Sequence, residues 1–164
     1  MLIADLAMTV AFSEKTKERF KAILAKYPEK GAALLPTMWL AQKEFSVITP
    51  EVEEYVAKLL GVPLVRVHEV LTFYTMYAAR PLGKYHLQLC TNISCTLLGA
   101  EDLLEHLKDK LQIGAGETTP DKKFTLSTVE CLGYCGTAPV LQVNDDFHEN
   151  LTTKKVDELL TKLK

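Results

Sequence analysis

Apolar residues recur at two different periods along this chain, and the change comes near residue 80. Before it the spacing is helical. Phe20, Ile23, Leu24 and Tyr27 fall at i, i+3, i+4 and i+7, the stripe of one helix face. Ser13 is placed to cap that helix, Glu14 to meet the positive end of its dipole, and Pro28 to end it. A second segment, 32–45, brings Leu35, Met38 and Trp39 together, with Pro36 in the first turn, where a missing N–H costs little. The third helix has the clearest start: Thr49 as the cap, Pro50 at the first helical position and Glu51 behind it. Val52, Tyr55, Val56, Leu59 and Leu60 follow at helical spacing, and Gly61 suits a left-handed stop. Pro63 opens a fourth helix that carries Leu64, Val67, Leu71 and Tyr74. Four short amphipathic helices predict a small helical bundle over residues 1–80.

After Arg80-Pro81-Leu82-Gly83 the period drops to two. Tyr85, Leu87 and Leu89 alternate with His86 and Gln88, a strand that runs straight into Cys90. Leu97, Leu98, Leu103, Leu104, Leu107 and Leu111 predict a helix over 96–111, and the Gly, Thr and Pro of 113–121 predict a loop. Phe124, Leu126 and Val129 mark a second strand ending at Cys131, and 139–143 a third. Asn144-Asp145-Asp146 reads as a turn, 147–149 as a strand pairing back, and Thr152 as the cap of a last helix with Val156, Leu159, Leu160 and Leu163. The pattern as a whole is α+β, with a helical domain over 1–80 and a strand-containing domain over 81–164.

The chemistry lies in four cysteines arranged as two close pairs. Cys90 and Cys95 are spaced C-x4-C, and Cys131 and Cys135 are spaced C-x3-C. Each pair begins where a strand ends, so a sheet could present four sulfurs at one edge. A 2Fe–2S cluster takes four cysteine thiolates, and loops of three or four residues leave room to wrap it. Structural zinc is the alternative, although its knuckles more often have two residues between ligands. Two disulfides are a third possibility, with three pairings open. The chain is 164 residues long and 48% hydrophobic, enough to build a core without staples, which weakens the disulfide reading. Met1 to Phe12 is apolar but holds Asp5 and no Lys or Arg, unlike a secretory signal or an organelle transit peptide. No apolar run reaches the roughly 20 residues of a membrane span. These features predict a cytoplasmic chain with no direct membrane insertion, and a reducing compartment in which four free thiols hold a metal.

Other function classes find little support. Net charge is −2 and the basic residues are scattered, so nucleic acid is not an expected partner. His68, His86, His106 and His148 are spread out, and none stands at a ligand spacing from a cysteine. The sequence holds no phosphate loop, nucleophile elbow, or fingerprint for nicotinamide or flavin. No catalytic residue is expected, and stand-alone catalysis is not. In Cys131-Leu132-Gly133-Tyr134-Cys135-Gly136, glycines beside thiolates allow backbone N–H groups to approach sulfur, and such hydrogen bonds help set a cluster's potential. Cys95 is expected to precede a helix whose first N–H groups could act likewise.

Cys90-Thr91-x3-Cys95 followed by Cys131-Leu132-Gly133-x-Cys135-Gly136-Thr137-Ala138-Pro139 resembles the NuoE-type subunit of NADH:quinone oxidoreductase, respiratory complex I. Glu69 to Met76, Asn144-Asp145 and Glu149-Asn150-Leu151-Thr152 are similar to the same family, in register from about Phe20. The resemblance implies a thioredoxin-like 2Fe–2S ferredoxin domain behind an N-terminal helical domain, with Cys90, Cys95, Cys131 and Cys135 as ligands of one cluster. It implies a flavoprotein partner of the NuoF type that binds FMN and NADH, with single electrons passing between that FMN and this chain. It also implies a place peripheral to the inner membrane, reached through the complex. The same module serves NAD-linked hydrogenases and formate dehydrogenases, so a diaphorase subunit of that kind is the alternative within the class. A structural zinc module is the alternative outside it. Tyr134 departs from the family, which usually has a smaller residue there. The surface around Tyr134 and Thr137 to Pro139 is the first expectation for the partner face.

Overall fold

The computed structural model describes residues 10–163, so most of the apolar stretch from Met1 to Phe12 lies outside the described residues. The chain divides into two compact units, one ending at Pro81 and one starting at Leu82. Helices α1 (Glu14–Leu24), α2 (Leu34–Phe45), α3 (Pro50–Leu60) and α4 (Leu64–Phe73) form the first, with a 3-10 turn at Lys30–Ala33 leading into α2. Their apolar stripes meet in one core, in which Met38, Ile48, Val56 and Val67 are almost wholly buried. Phe12 closes its end, with its ring 5.1 Å from Tyr55 and 5.8 Å from Phe45.

The predicted helix boundaries have visible causes. The Ser13 hydroxyl accepts the Thr16 N–H at 3.4 Å, and Gly61 ends α3 at φ +66°. Thr49 holds the cap position of α3 but bonds no helix N–H; its side chain hydrogen-bonds Glu51 instead, which lowers the pKa of that carboxyl.

The second unit is a four-stranded mixed sheet of order β2-β1-β3-β4, built from β1 (Tyr85–Cys90), β2 (Phe124–Val129), β3 (Leu141–Val143) and β4 (Asp146–His148). Strands β1 and β2 run parallel from Tyr85↔Phe124 to Cys90↔Val129, so both deliver their C-terminal ends to one edge. Strands β1 and β3 pair antiparallel, as do β3 and β4. Leu87, Leu89, Leu126 and Leu141 are completely buried under Leu103 and Leu107 of α6 (Ala100–Leu111) and Val156 of α7 (Thr153–Lys162). Asp157 on α7 joins the two helices through His106 Nε2 at 2.9 Å and Lys110 Nζ at 3.3 Å.

The single helix predicted over 96–111 is two. A short helix α5 (Ile93–Leu97) stops at Leu98, and Gly99 turns the chain at φ +96° before α6 begins. That left-handed residue breaks the phase of the stripe. Leu97 and Leu98, counted among the apolar residues of that single helix, are therefore 80% and 59% exposed. The third strand is also shorter than predicted, because Pro139 brings no N–H to a ladder.

Candidate metal centre

Cys90 is the last residue of β1 and is buried. Its N–H donates to the Val140 carbonyl at 3.1 Å, and its thiol to the Glu130 carbonyl at 3.9 Å. The next turns are pinned by polar side chains. Thr91 donates both N–H and hydroxyl to the Val129 carbonyl, at 3.0 and 3.3 Å. The Thr96 hydroxyl donates back to the Thr91 carbonyl at 3.1 Å, and Asn92 caps α5 by accepting the Ile93 N–H at 2.9 Å. Cys95 lies inside α5 and is buried. The expectation that it precedes a helix is thus corrected: α5 starts at Ile93, because Asn92 supplies the cap. Ala100, Val129 and Ala138, with Leu132 at the side, wall the two sulfurs in a small apolar cluster.

The second pair sits differently. Cys131 follows β2 by two residues, and Cys135 opens a 3-10 turn to Thr137; both are exposed. Gly133 adopts φ +79° and donates its N–H to Cys131 Sγ at 3.3 Å, which meets the expectation for a glycine beside a thiolate. Nothing in the structure requires glycine at Gly136. Behind Cys135 the chain is stitched to the segment after β4: the Asn150 N–H donates to the Thr137 carbonyl at 2.7 Å, and the Leu151 N–H to the Pro139 carbonyl at 3.1 Å. Ala138 and Pro139 are buried, so the surface expected at Thr137 to Pro139 narrows to Tyr134 and Thr137.

Three of the four sulfurs interact. Burial pushes the Cys95 thiol up, and a hydrogen bond with Cys90 and the charges of Cys90 and Cys135 push the same way, while the Val140 backbone opposes them. Cys131 is engaged by Gly133. All four thiols are free. Among the described residues, no group of three or more His, Cys, Asp or Glu side chains is placed to hold a metal ion, the four cysteines included. A 2Fe–2S cluster uses two ligands on each iron, and two pairs are what these loops present. Four free cysteines in two pairs are the donor type and number that such a group takes, so the donor set fits it.

Three of the four histidines take other partners: His68 Nδ1 lies 2.9 Å from Glu53, His86 Nε2 lies 2.9 Å from Ser127, and His106 meets Asp157. The sequence reading missed Val140, whose backbone reaches both Cys90 and Cys95. Its place after Ala138-Pro139 carried no signal of that role. It also missed Asn92, although an Asn shortly before a leucine-rich run is a recognisable cap.

The sequence pattern of the thioredoxin-like 2Fe-2S ferredoxin family matches residues 20–164. The E 2 subunit of NADH-quinone oxidoreductase from Rhizobium meliloti (strain 1021) is 51% identical over 144 residues, covering 88% of this chain and 86% of that one. The E subunit of NADH-quinone oxidoreductase from Rickettsia conorii (strain ATCC VR-613 / Malish 7) is 44% identical over 155 residues, 93% of each chain. Among solved structures, NAD+-reducing NiFe-hydrogenase in the H2-reduced state superposes with a TM-score of 0.69 at 20% identity, over 79% of this chain. The present chain spans about a fifth of that hydrogenase chain, 22% of its length. At that identity the likeness is one of fold.

Proposed function

The chain belongs to the thioredoxin-like 2Fe-2S ferredoxin family, and on that premise we propose that it is the electron-transfer subunit of an NADH:quinone oxidoreductase. Cys90, Cys95, Cys131 and Cys135 would hold one 2Fe–2S cluster, which supplies one-electron exchange when bound. The observation that supports the reading is that the parallel strands β1 and β2 end side by side at Cys90 and Val129, so the two cysteine loops leave from the same edge of the sheet.

The residues divide the work between the two sides of the site. Ala100, Val129 and Ala138 keep water from Cys90 and Cys95, while the loop of Cys131 and Cys135 faces solvent. Thr91, Asn92 and Thr96 fix the first loop against the end of β2, so its sulfurs need little rearrangement when an electron arrives. The Gly133 N–H opposes negative charge at the Cys131 sulfur, which favours the reduced state. A flavoprotein of the NuoF type, carrying FMN and NADH, would approach the exposed side. High identity to the Rhizobium and Rickettsia relatives over nearly the full length supports this parent complex above a hydrogenase diaphorase. Among the described residues no helix is long and apolar enough to cross a membrane. A cytoplasmic position, peripheral to the membrane through the complex, follows from the same proposal.

The ligand set is tested by Cys95→Ser and Cys131→Ser, one change in each loop. Each is expected to lose most of the iron and acid-labile sulfide and the visible colour of the wild type. Full iron and sulfide in either variant would remove that cysteine from the set.

A further inference from the structure

The Cys131–Cys135 loop has open space at its glycine and just beyond it: a side-chain carbon added at Gly133 or at Gly136 would meet nothing within 4 Å. Between its cysteines, Leu132 turns inward to the cluster around Cys90 and Cys95. Tyr134 turns the other way. Its ring stacks on Phe147 at a centroid distance of 4.7 Å and an interplanar angle of 24°.

Phe147 is the middle residue of β4, paired with Gln142 of β3, which is in turn paired with Gln88 of β1. One face of the stack is therefore fixed to the sheet that ends in Cys90. The other belongs to an exposed loop that is otherwise held by the Leu132 side chain, the Gly133 N–H bond to Cys131 Sγ, and the Thr137 N–H and hydroxyl, both donating to the Tyr134 carbonyl. Both rings stay about 40% exposed, so the stack is a clasp at the surface and not part of a core.

We propose that Phe147 is a positioning residue for Cys131 and Cys135, acting through the stacked ring of Tyr134. The proposal rests on the ligand assignment above and adds a role for two aromatics that it does not use. The loop's glycine gives Cys131 its N–H bond but also leaves the backbone free to move. The ring pair offsets that freedom from outside the ligand set. A direct aromatic contact is the right size for the task, shifting a local opening equilibrium by about 2- to 10-fold. Tyr134 contributes its ring, so a phenylalanine there should serve as well.

The test uses the full chain in two forms. In the reduced, iron-free chain, hydrogen exchange is followed over the peptide holding 131–137. Phe147→Ala and Tyr134→Ala are expected to speed that exchange about 2- to 10-fold. Exchange in 87–90 should stay unchanged, which shows the sheet intact. Tyr134→Phe should exchange at the wild-type rate. The double variant Tyr134→Ala with Phe147→Ala should match the singles, because one contact is removed once. In the iron-loaded chain, the two alanine variants should release iron to a chelator faster by a similar factor, with Tyr134→Phe unchanged. Wild-type exchange over 131–137 in Phe147→Ala overturns the clasp. Faster exchange with unaltered iron release overturns its role at the site. A wild-type chain that binds no iron defeats the ligand assignment, while the exchange rates still decide whether the clasp exists.

Discussion

Glu44 ties the start of α1 to α2. It accepts the Ser13 N–H at 3.0 Å, the Ser13 hydroxyl at 3.2 Å and the Thr16 hydroxyl at 2.6 Å. The Thr16 bond first, and the Ser13 N–H after it, hold its carboxyl below the usual range. A carboxylate depressed in this way stabilises the fold above its unfolded pKa, near 4.3, and loses that contribution as pH falls through the folded value. Glu44→Gln should therefore lower Tm at pH 7, with the gap to wild type closing below about pH 4. A gap that stays constant from neutral to strongly acid pH would show that the charge is immaterial. Residues of this kind were not legible in the sequence, since their partners lie some thirty positions away. The cysteines were legible, because their chemistry is carried by residue type and spacing. Tyr134 was visible as an outlier, but Phe147 was not visible as its partner, because stacking depends on how the loop turns.

At the level of elements, the approach of β1 to β2 depends on Gly83. A side-chain carbon there would lie 2.8 Å from the Phe124 carbonyl carbon and 2.9 Å from its nitrogen. Gly83 also donates its N–H to Thr125 Oγ1 at 2.6 Å, just before Lys84 and Tyr85 pair with Lys122 and Lys123. Gly83→Ala must push the two strands apart where they begin, at a cost of about 1–3 kcal/mol in denaturant unfolding. A change within about 0.5 kcal/mol, the usual range for a surface site, would mean that the strands part freely. Caps and prolines marked most helix starts in the sequence: Ser13, Pro50 and Thr152 stand where α1, α3 and α7 begin. The break at Gly99 was hidden, because leucines on both sides continue a plausible stripe. Only the left-handed backbone at Gly99 shows that Leu97 and Leu98 belong to the surface.

Across the whole molecule, the switch from period 3.6 to period 2 near residue 80 corresponds to two units that each bury their own apolar cluster. Only the second unit holds cysteines, and its parallel strands bring both pairs to one edge. The sequence could place each pair after a strand. It could not show that Cys90 and Cys95 are buried while Cys131 and Cys135 are exposed, since that depends on the side chains folded over each loop. The asymmetry gives the four cysteines an insulated side and an accessible one, as the proposed exchange of electrons with a docked donor requires. The most direct test is iron, zinc and acid-labile sulfide analysis of the anaerobically purified chain, with an EPR spectrum after dithionite. About two iron and two sulfide per chain, with a spin-half signal on reduction, is the predicted result. About one zinc per chain without sulfide, or no metal in an anaerobic preparation, would contradict it.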